Sequence, residues 1–159
     1  MQDFIQRLAE YPPELVREGW TEYIPPSINQ AYIIVKVRNR YTLGPSSKLK
    51  KYKKALSKDL KEQWGDLEPL DKTKAYLIHL HFVLEEVETK GWRSHRDHSK
   101  PCKTGRWVRK DVGNWLKFPE DIAAKTAGID DSAHLKAVLE KEKGDTPGMR
   151  VRIYLLKGR

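Results

Sequence analysis

Acids and a lysine whose spacing can support phosphoryl-transfer chemistry surround one helix-length segment in the second half of the chain. Asp111 precedes this segment, Lys117 lies near its start, and Asp130 and Asp131 follow a glycine at its end. If the segment is a helix that packs back on its own flanks, the carboxylates converge. Mg²⁺ binds proteins through one or two such hard oxygen ligands and leaves its other positions to water and phosphate. A cation held in this way lowers the pKa of bound water, and Lys117 could stabilise charge on a scissile phosphate.

The same spacing is compatible with a purely structural interpretation. Asp111 could be an acid at a helix N-terminus, and Asp130 and Asp131 could form the turn after a glycine cap. Local rules alone favour this structural interpretation over a metal site.

Basic residues are concentrated in two stretches. Residues 36–54 contain eight basic residues and no acid, and residues 90–110 contain eight against one acid. They carry +8 and +7 of a chain whose formal net charge is +9, which leaves −6 for the remainder. Focused positive charge is typical of proteins that bind a nucleic-acid backbone, although a single such run is usually a solvated face. We predict that the contacts to nucleic-acid phosphates are Lys48, Lys50, Lys51, Lys54, Arg93, Arg96, Lys103, Arg106, Arg109 and Lys110.

Length and composition favour one water-soluble domain. The chain has 159 residues, of which 38% are hydrophobic, enough to build a core without cross-links. Its single cysteine, Cys102, cannot form an internal disulfide, which fits a reducing cytosol. The sequence has no apolar run that would span a bilayer and no signal peptide at its start. We therefore expect a cytoplasmic protein without a membrane partner.

Two regions differ from the rest of the chain. Residues 1–19 are expected to form an N-terminal helical arm, in which Pro12–Pro13 separate a short helix from a second helical piece around Glu14–Glu18. The domain proper is expected to span residues 20–159. Within it, residues 89–109 lack periodicity and are expected to form a basic loop or hairpin arm.

Apolar patterns predict several strands. We expect a strand from Trp20 to Ile24, a β-branched strand over Tyr32–Val37, a turn at Gly44–Pro45, and an alternating strand over Tyr76–Glu86. The final segment, Met149–Leu156, also alternates and is expected to be an edge strand.

Two amphipathic helices are predicted between these strands. The first is capped by Ser46 or Ser47, ends at Gly65, and has an apolar stripe of Leu49, Tyr52, Leu56, Leu60 and Trp64. The second follows Asn114 and ends at Gly128, with Pro119 either in its first turn or at a kink. Residues 133–143 favour helix by propensity. Interleaved strands and helices without repeats indicate a single α/β or α+β domain.

Two motifs resemble those of the RusA-type endodeoxyribonucleases, which are Holliday junction resolvases. The hallmark of that family is Asp-x-Asp-Asn-x-x-Lys after basic residues, then a helix, then a glycine-containing turn that ends in Asp-Asp. The corresponding residues here are 109–117 and 128–131. A second family motif, Pro-Pro-Ser-x-Asn-x-x-Tyr, is present at residues 25–32. The resemblance covers roughly Trp20 to Leu156.

This resemblance implies a RusA-like fold, a small mixed sheet packed with two main helices, and a homodimer of bacterial or phage origin. It implies that the protein resolves four-way DNA junctions by Mg²⁺-dependent phosphodiester hydrolysis, with Mn²⁺ as a substitute. Asp111, Lys117 and Asp131 would be catalytic, and Asp111, Asp131 and Asp130 would be the metal ligands. It also implies a strand after Asp-Asp, against the helical propensity of residues 133–143, and we adopt the strand.

One departure from the family pattern bears on activity. Gly113 occupies the position of the second Asp in Asp-x-Asp, and glycine has no side-chain oxygen. The site has therefore lost a ligand or obtains it from Asp130, Asp121 or water. Asp121 lies seven residues after Asn114, where the family often has an acid. The alternative function is a junction- or duplex-DNA-binding protein with impaired cleavage, and a more remote one is RNA binding by the same basic surface.

The basic loop contains a weak metal-ligand pattern. His95, His98 and Cys102 are spaced His-x-x-His-x-x-x-Cys, but a structural Zn²⁺ site needs four ligands. Because the loop has no fourth, we expect it to be solvated. Trp92 and Trp107 flank it and could stack on unpaired bases or pin the loop to the body.

Two further histidines, His79 and His81, lie on one face of the predicted strand. The sequence indicates no acid partner for them, so we assign them no role.

Overall fold

The computed structural model describes residues 12–26, 28–85, 88–89, 106–107 and 115–157. Four strands form its main sheet, and they are β1 (Glu14–Thr21), β4 (Tyr76–Leu84), β7 (His134–Lys143) and β8 (Gly148–Leu155). Their order across the sheet is β1, β8, β4, β7. β4 and β7 are parallel, whereas β8 runs antiparallel to both β1 and β4. The predicted mixed sheet is confirmed.

Two main helices pack on one face of this sheet, as predicted. They are α2 (Ser47–Trp64) and α3 (Lys117–Ala127), and they contact each other. Alternate side chains of β4 point towards them and are buried. The core includes Leu56, Leu60, Ile78, Leu80, Phe82, Ala123 and Val151.

The local signals of α2 are confirmed. Its buried residues are the five of the predicted stripe. Ser46 is the N-cap, and its hydroxyl accepts a hydrogen bond from the Leu49 N–H at 3.2 Å. Gly65 is the C-cap, and its N–H donates to the Lys61 carbonyl at 2.8 Å.

A separate hairpin precedes α2. A short helix, α1 (Ile28–Ala31), leads into β2 (Tyr32–Val37), which pairs antiparallel with β3 (Arg40–Pro45). The turn predicted at Gly44–Pro45 is wrong, because both residues belong to β3. The chain reverses instead at Arg38 and Asn39, where Arg38 adopts a left-handed φ of 55°.

The helical piece expected around Glu14–Glu18 is wrong, and so is the strand expected from Trp20 to Ile24. One strand, β1, spans Glu14–Thr21 and pairs with β8. Its contacts with α2 include the Trp64 indole N–H, which donates to the Glu18 carbonyl at 2.8 Å. These partners are distant in sequence, so local patterns did not reveal them. Residues 1–11, the remainder of the expected arm, lie outside the described residues.

The remaining strands confirm one expectation and correct another. Residues 134–143 form β7, as the family resemblance implied and against their helical propensity. Met149–Leu156 was expected to be an edge strand, but β8 lies between β1 and β4. Two short strands, β5 (Glu88–Thr89) and β6 (Arg106–Trp107), pair antiparallel at the ends of the expected basic arm. No helix among the described residues has the length and apolar character needed to cross a membrane.

Candidate functional site

The start of α3 is anchored in the core. Trp115 and Phe118 are buried, and the Trp115 ring meets Phe82 edge-on with 4.9 Å between ring centroids. Pro119 is the third residue of α3, so it lies in the first turn, where its missing N–H breaks no helical hydrogen bond. Lys117, the first residue of α3, is exposed. Because Trp115 and Phe118 are anchored in the core, the backbone position of Lys117 between them is fixed.

One face of α3 carries the polar side chains of the site. Lys117, Asp121 and Lys125 recur every four residues, so they lie along the same side of the helix. Ala123 and Ala127 are buried in the core. These three side chains, of alternating charge, therefore lie in a row along α3.

A tight turn after α3 reverses the chain towards this face. Gly128 has a left-handed φ of 83° and is the C-cap of α3. The Ile129 N–H donates to the Ala124 carbonyl at 3.0 Å, which closes the turn. A Cβ at Gly128 would lie 2.8 Å from Cβ of Pro69. Both the φ and the space therefore require glycine, and buried Ile129 then anchors the chain before Asp130.

The turn brings the carboxyl groups of Asp121 and Asp131 into hydrogen-bonding contact. Burial raises the pKa of Asp121, and the hydrogen bond and negative charge of Asp131 raise it further. Lys117 and Lys53 oppose this rise with their positive charges. Two carboxyl groups this close cannot both ionise at low energy unless a cation or a shared proton neutralises them.

Asp130 has a different role in the turn. Its carboxylate accepts a hydrogen bond from the Ser132 N–H at 3.0 Å, at the start of a 3₁₀ turn over Asp131–Ala133. Hydrogen bonds from Ser132 lower the pKa of Asp130. At least one lone pair of the predicted ligand Asp130 is therefore used in a hydrogen bond that fixes the backbone beside Asp131.

Glu120 and His134 extend the acidic cluster towards the sheet. His134 Nδ1 lies 3.3 Å from Glu120 Oε1, and the His134 side chain is fully buried. Burial raises the pKa of Glu120, and the charges of Asp131 and Asp121 raise it further. Burial lowers the pKa of His134, while Asp131 opposes this. Sequence analysis missed both residues, because only the fold brings the start of β7 to the first turn of α3.

An open cleft of about 670 Å³ contains the aspartates, and lysines line it. Lys72, Lys117 and Lys125 contribute to its wall together with Asp121, Asp130 and Asp131. Sequence analysis missed Lys72 and Lys125. The four-residue spacing of Lys125 from Asp121 was a usable signal, whereas nothing in the sequence connects Lys72 to the site.

A second groove of about 410 Å³ continues from the cleft between α2 and α3. Asp121 and Lys125 line both depressions, and Lys53 and Lys61 enter the groove from α2. The ammonium of Lys53 lies 5.6 Å from the centroid of the Phe118 ring. The cluster of aspartates is therefore bordered by cations on both sides.

The predicted DNA contacts on α2, Lys48, Lys50, Lys51 and Lys54, are all exposed. Arg106 belongs to β6. The other predicted contacts, Arg93, Arg96, Lys103, Arg109 and Lys110, lie outside the described residues, as do Asp111, Gly113 and Asn114. The histidine and cysteine pattern at His95, His98 and Cys102 and the tryptophan Trp92 also lie outside them. Within the described ranges, no group of three His, Cys, Asp or Glu side chains has an arrangement that would hold a metal ion.

His79 and His81 do have acid partners, contrary to the sequence analysis. Parallel pairing of β4 with β7 brings His79 Nε2 to 3.0 Å from Glu140 Oε2 and His81 Nε2 to 3.2 Å from Glu142 Oε1. The two imidazole rings are stacked with 6.1 Å between centroids. Local patterns could not reveal these partners, because the register of β4 and β7 pairs residues about sixty positions apart.

Comparison with known families gives one match over most of the chain. A family model described as endodeoxyribonuclease RusA matches residues 24–154. This range includes the cleft, α2, α3 and the residues of both sequence motifs from Pro25 onwards. A comparison with curated proteins returns no match.

Proposed function

The chain belongs to the endodeoxyribonuclease RusA family, and on this premise we propose that it is a divalent-metal-dependent endonuclease that resolves four-way DNA junctions. The observation that carries the proposal is the contact between Asp121 and Asp131 inside a lysine-lined cleft. Acids among phosphate-binding cations make physical sense chiefly as holders of a metal ion, because otherwise they would repel the substrate.

The donor set fits a hard divalent cation. Asp121 and Asp131 offer two carboxylates in one place, which is the number that Mg²⁺ commonly takes from a protein. Asp111 would add a third by family analogy. When bound, the ion would supply a water of lowered pKa and neutralise charge on the phosphate. Asp121 then provides the oxygen that Gly113 cannot.

Lysines complete the chemistry of the cleft. Lys117 leads the helix face that carries Asp121, so its ammonium can stabilise negative charge that develops on the scissile phosphate. Lys72 and Lys125 line the same cleft and can hold the flanking phosphates. The charges of Lys117 and Lys53 also oppose the rise in the pKa of Asp121, which favours the ionised form that a metal requires.

The DNA arms are proposed to follow the basic surface away from the cleft. Lys53 and Lys61 continue the line of cations through the groove between α2 and α3. Lys48, Lys50, Lys51 and Lys54 extend it along the exposed side of α2. Contacts of this kind position a nucleic acid without selecting a base sequence.

We also propose that the enzyme acts as a homodimer in the cytoplasm. A four-way junction has strands related by two-fold symmetry, and a two-fold dimer presents two matched sites to them. Two coordinated nicks would then resolve the junction.

The experiment is junction cleavage with matched substrates. A labelled four-way junction, a linear duplex of the same sequence and an RNA duplex are incubated with the full chain, with Mg²⁺ or with a chelator. We expect nicks in the junction only, and only with the metal. Asp131→Asn should abolish them, whereas Asp66→Asn, an exposed aspartate outside the cleft, should not. Tight junction binding without cleavage in any divalent ion would instead support the alternative of a DNA-binding protein with an impaired site.

A further inference from the structure

The imidazole of His134 is buried without a well-formed hydrogen bond. Its side chain is fully buried, and among the described residues neither ring nitrogen has a hydrogen bond of good geometry. The contact that it does make is with Glu120, whose Oε1 lies 3.3 Å from Nδ1. A buried imidazole held in this way stabilises a fold less than an apolar side chain of the same shape. Stability alone therefore gives no reason for a histidine at this position.

A shift in strand register turns His134 towards the helices. β7 pairs with β4 so that His134 lies opposite Tyr76 and Lys136 lies opposite Leu77, which leaves Leu135 as an extra residue on β7. Tyr76 belongs to the core, and residues opposite each other in a sheet point to the same face. Regular alternation would instead place His134 on the face that carries Lys136. Irregularities of this kind redirect side chains and are frequent beside active sites.

Two consecutive residues of α3 contact the same short segment after the Gly128 turn. Asp121 contacts Asp131 through their carboxyl groups, and Glu120 contacts His134. The 3₁₀ turn joins Asp131 to His134, and in it the His134 N–H donates to the Asp131 carbonyl. The segment 131–134 is therefore attached to α3 at both of its ends.

The two attachments differ in what they can hold. Ionised Asp121 and Asp131 repel each other unless a cation lies between them, so their contact cannot fix the segment by itself. A carboxyl group and an imidazole attract each other instead, because one can donate a proton in a hydrogen bond to the other. The contact of Glu120 with His134 can therefore keep Asp131 close to Asp121 before any ion binds.

We propose that Glu120 and His134 are positioning residues that hold Asp131 beside Asp121, ready for a divalent cation. The inference rests on the proposed function, because it concerns the same metal site. Neither side chain is among those that line the cleft. Since His134 is fully buried, a hydrated ion in the open cleft does not reach its ring. Both residues therefore act through Asp131 and not on the ion or the DNA.

Positioning of this kind raises metal affinity. Ligands that are already in place lose less freedom when the ion binds. Residues that orient metal ligands typically contribute roughly 10–100-fold to metal affinity. Loss of the contact between Glu120 and His134 should therefore weaken metal binding while both aspartates remain present.

Calorimetric titration of Mn²⁺ into the full chain without DNA measures this effect. His134→Leu fills a similar volume but removes both ring nitrogens, so it should lower Mn²⁺ affinity about 10-fold and change the melting temperature little. His134→Asn keeps an amide near the place of Nδ1 and should restore most of the affinity. His79→Leu is the matched control, because it removes a similar contact of β4 with Glu140, and it should leave Mn²⁺ affinity unchanged.

Substitutions of Glu120 separate the contact from the charge. Glu120→Ala removes both and should lower Mn²⁺ affinity about 10-fold, whereas Glu120→Gln keeps a hydrogen-bonding group and should retain most of the affinity. The Glu120 side chain is partly exposed, so these variants test the same contact if His134→Leu does not fold. An equal loss in Glu120→Gln and Glu120→Ala would show that only charge matters and would overturn the inference. Wild-type affinity in both Glu120→Ala and His134→Leu would overturn it too.

Hydrogen exchange in a chelator tests the attachment without any metal. The amides of residues 133 and 134 close the 3₁₀ turn, and they should exchange faster in Glu120→Ala and His134→Leu than in the wild type, while those of α2 should not change. Unchanged exchange at these two amides overturns the inference. A wild type that binds no Mn²⁺ would contradict the proposed metal-dependent function, and faster exchange in the variants would still support the attachment of Asp131.

Discussion

The carboxyl groups of Asp121 on α3 and Asp131 after the Gly128 turn are in hydrogen-bonding contact, and this contact raises the pKa of Asp121 beyond the effect of burial. The two residues are ten positions apart, and only the left-handed turn at Gly128 brings them together. Stability, metal binding and cleavage should all depend on this pair and on the lysines around it.

Asp121→Asn should remove charge repulsion from the metal-free protein. Because the pKa of Asp121 is raised in the folded state, its protonated form favours folding. That contribution is complete below the ordinary value of 3.8 and is lost as pH rises through the folded-state value. Relative to Asp121→Asn, the wild type should therefore lose stability between acid and neutral pH. Solvent screens the pair, so the variant should melt only roughly 1–3 °C higher at pH 7.

Thermal unfolding in a chelator at several pH values checks this, with Asp66→Asn as the control. A difference in melting temperature between the wild type and Asp121→Asn that does not change with pH would contradict charge repulsion between Asp121 and Asp131.

Gly113→Asp should have little effect on the wild type but should rescue Asp121→Asn. If Asp121 supplies the oxygen that Gly113 lacks, a carboxylate at position 113 is redundant in the wild type. The same carboxylate is needed when Asp121→Asn has removed the original ligand. Single-turnover nicking of a four-way junction measures both effects. A large gain of activity in the wild-type background would mean that Asp121 does not fill the place of the missing ligand.

Lys117→Ala should slow strand cleavage far more than it weakens junction binding. Loss of a preorganised charge at the reacting phosphate costs about 10²–10³ in rate. Lys50→Ala removes the same charge from the exposed side of α2 and is the matched control. It should leave the rate at saturation unchanged and reduce the salt dependence of binding by about one counterion. Equal effects of the two substitutions on the rate would contradict the assignment of Lys117.

The double substitution Lys53→Ala/Lys61→Ala should weaken binding to any junction sequence. Both side chains line the groove between α2 and α3, so their loss should reduce the slope of log affinity against log salt by roughly two. Lys143→Ala, at the exposed end of β7, is the control. An unchanged slope in the double variant would show that the DNA does not follow this groove.

Gly128→Ala should destabilise the protein by about 1–3 kcal/mol, because the left-handed φ is strained for alanine and its Cβ would crowd Pro69. The cleavage rate should fall by more than the loss of folded protein explains, since the position of Asp131 depends on this turn. Urea unfolding and nicking rates check the two effects. Asp66→Ala, at an exposed turn, should change stability by less than about 0.5 kcal/mol.

Local signals predicted the parts of the fold that depend on nearby residues. The stripe of α2, the Ser46 cap and the glycine at the end of α3 follow from helical periodicity and capping rules, and the structure agrees with them. β1 was missed because its pairing with β8 joins residues more than 120 positions apart. The interior position of β8 was missed for the same reason, because its neighbours β1 and β4 are distant from it in sequence. Propensity was misleading for β7, where a parallel neighbour decides the conformation.

The candidate site was only partly accessible from sequence. Lys117, Asp130 and Asp131 could be proposed because they are part of a motif, and Asp121 was one of several possible replacements for the ligand missing at Gly113. Its contact with Asp131 requires the turn geometry. Lys72, Glu120 and His134 reach the cluster through tertiary packing, which no spacing in the sequence encodes.

Binding of a divalent cation by Asp121 and Asp131 can be measured without DNA. Calorimetric titration of Mn²⁺ into the full chain without DNA should show saturable binding, and Mg²⁺ should compete for it. Asp121→Asn and Asp131→Asn should each weaken this binding by at least about 10-fold, as loss of a carboxylate ligand requires, while Asp66→Asn should not. Binding of equal strength in the wild type and in both site variants would show that Asp121 and Asp131 do not hold the metal ion.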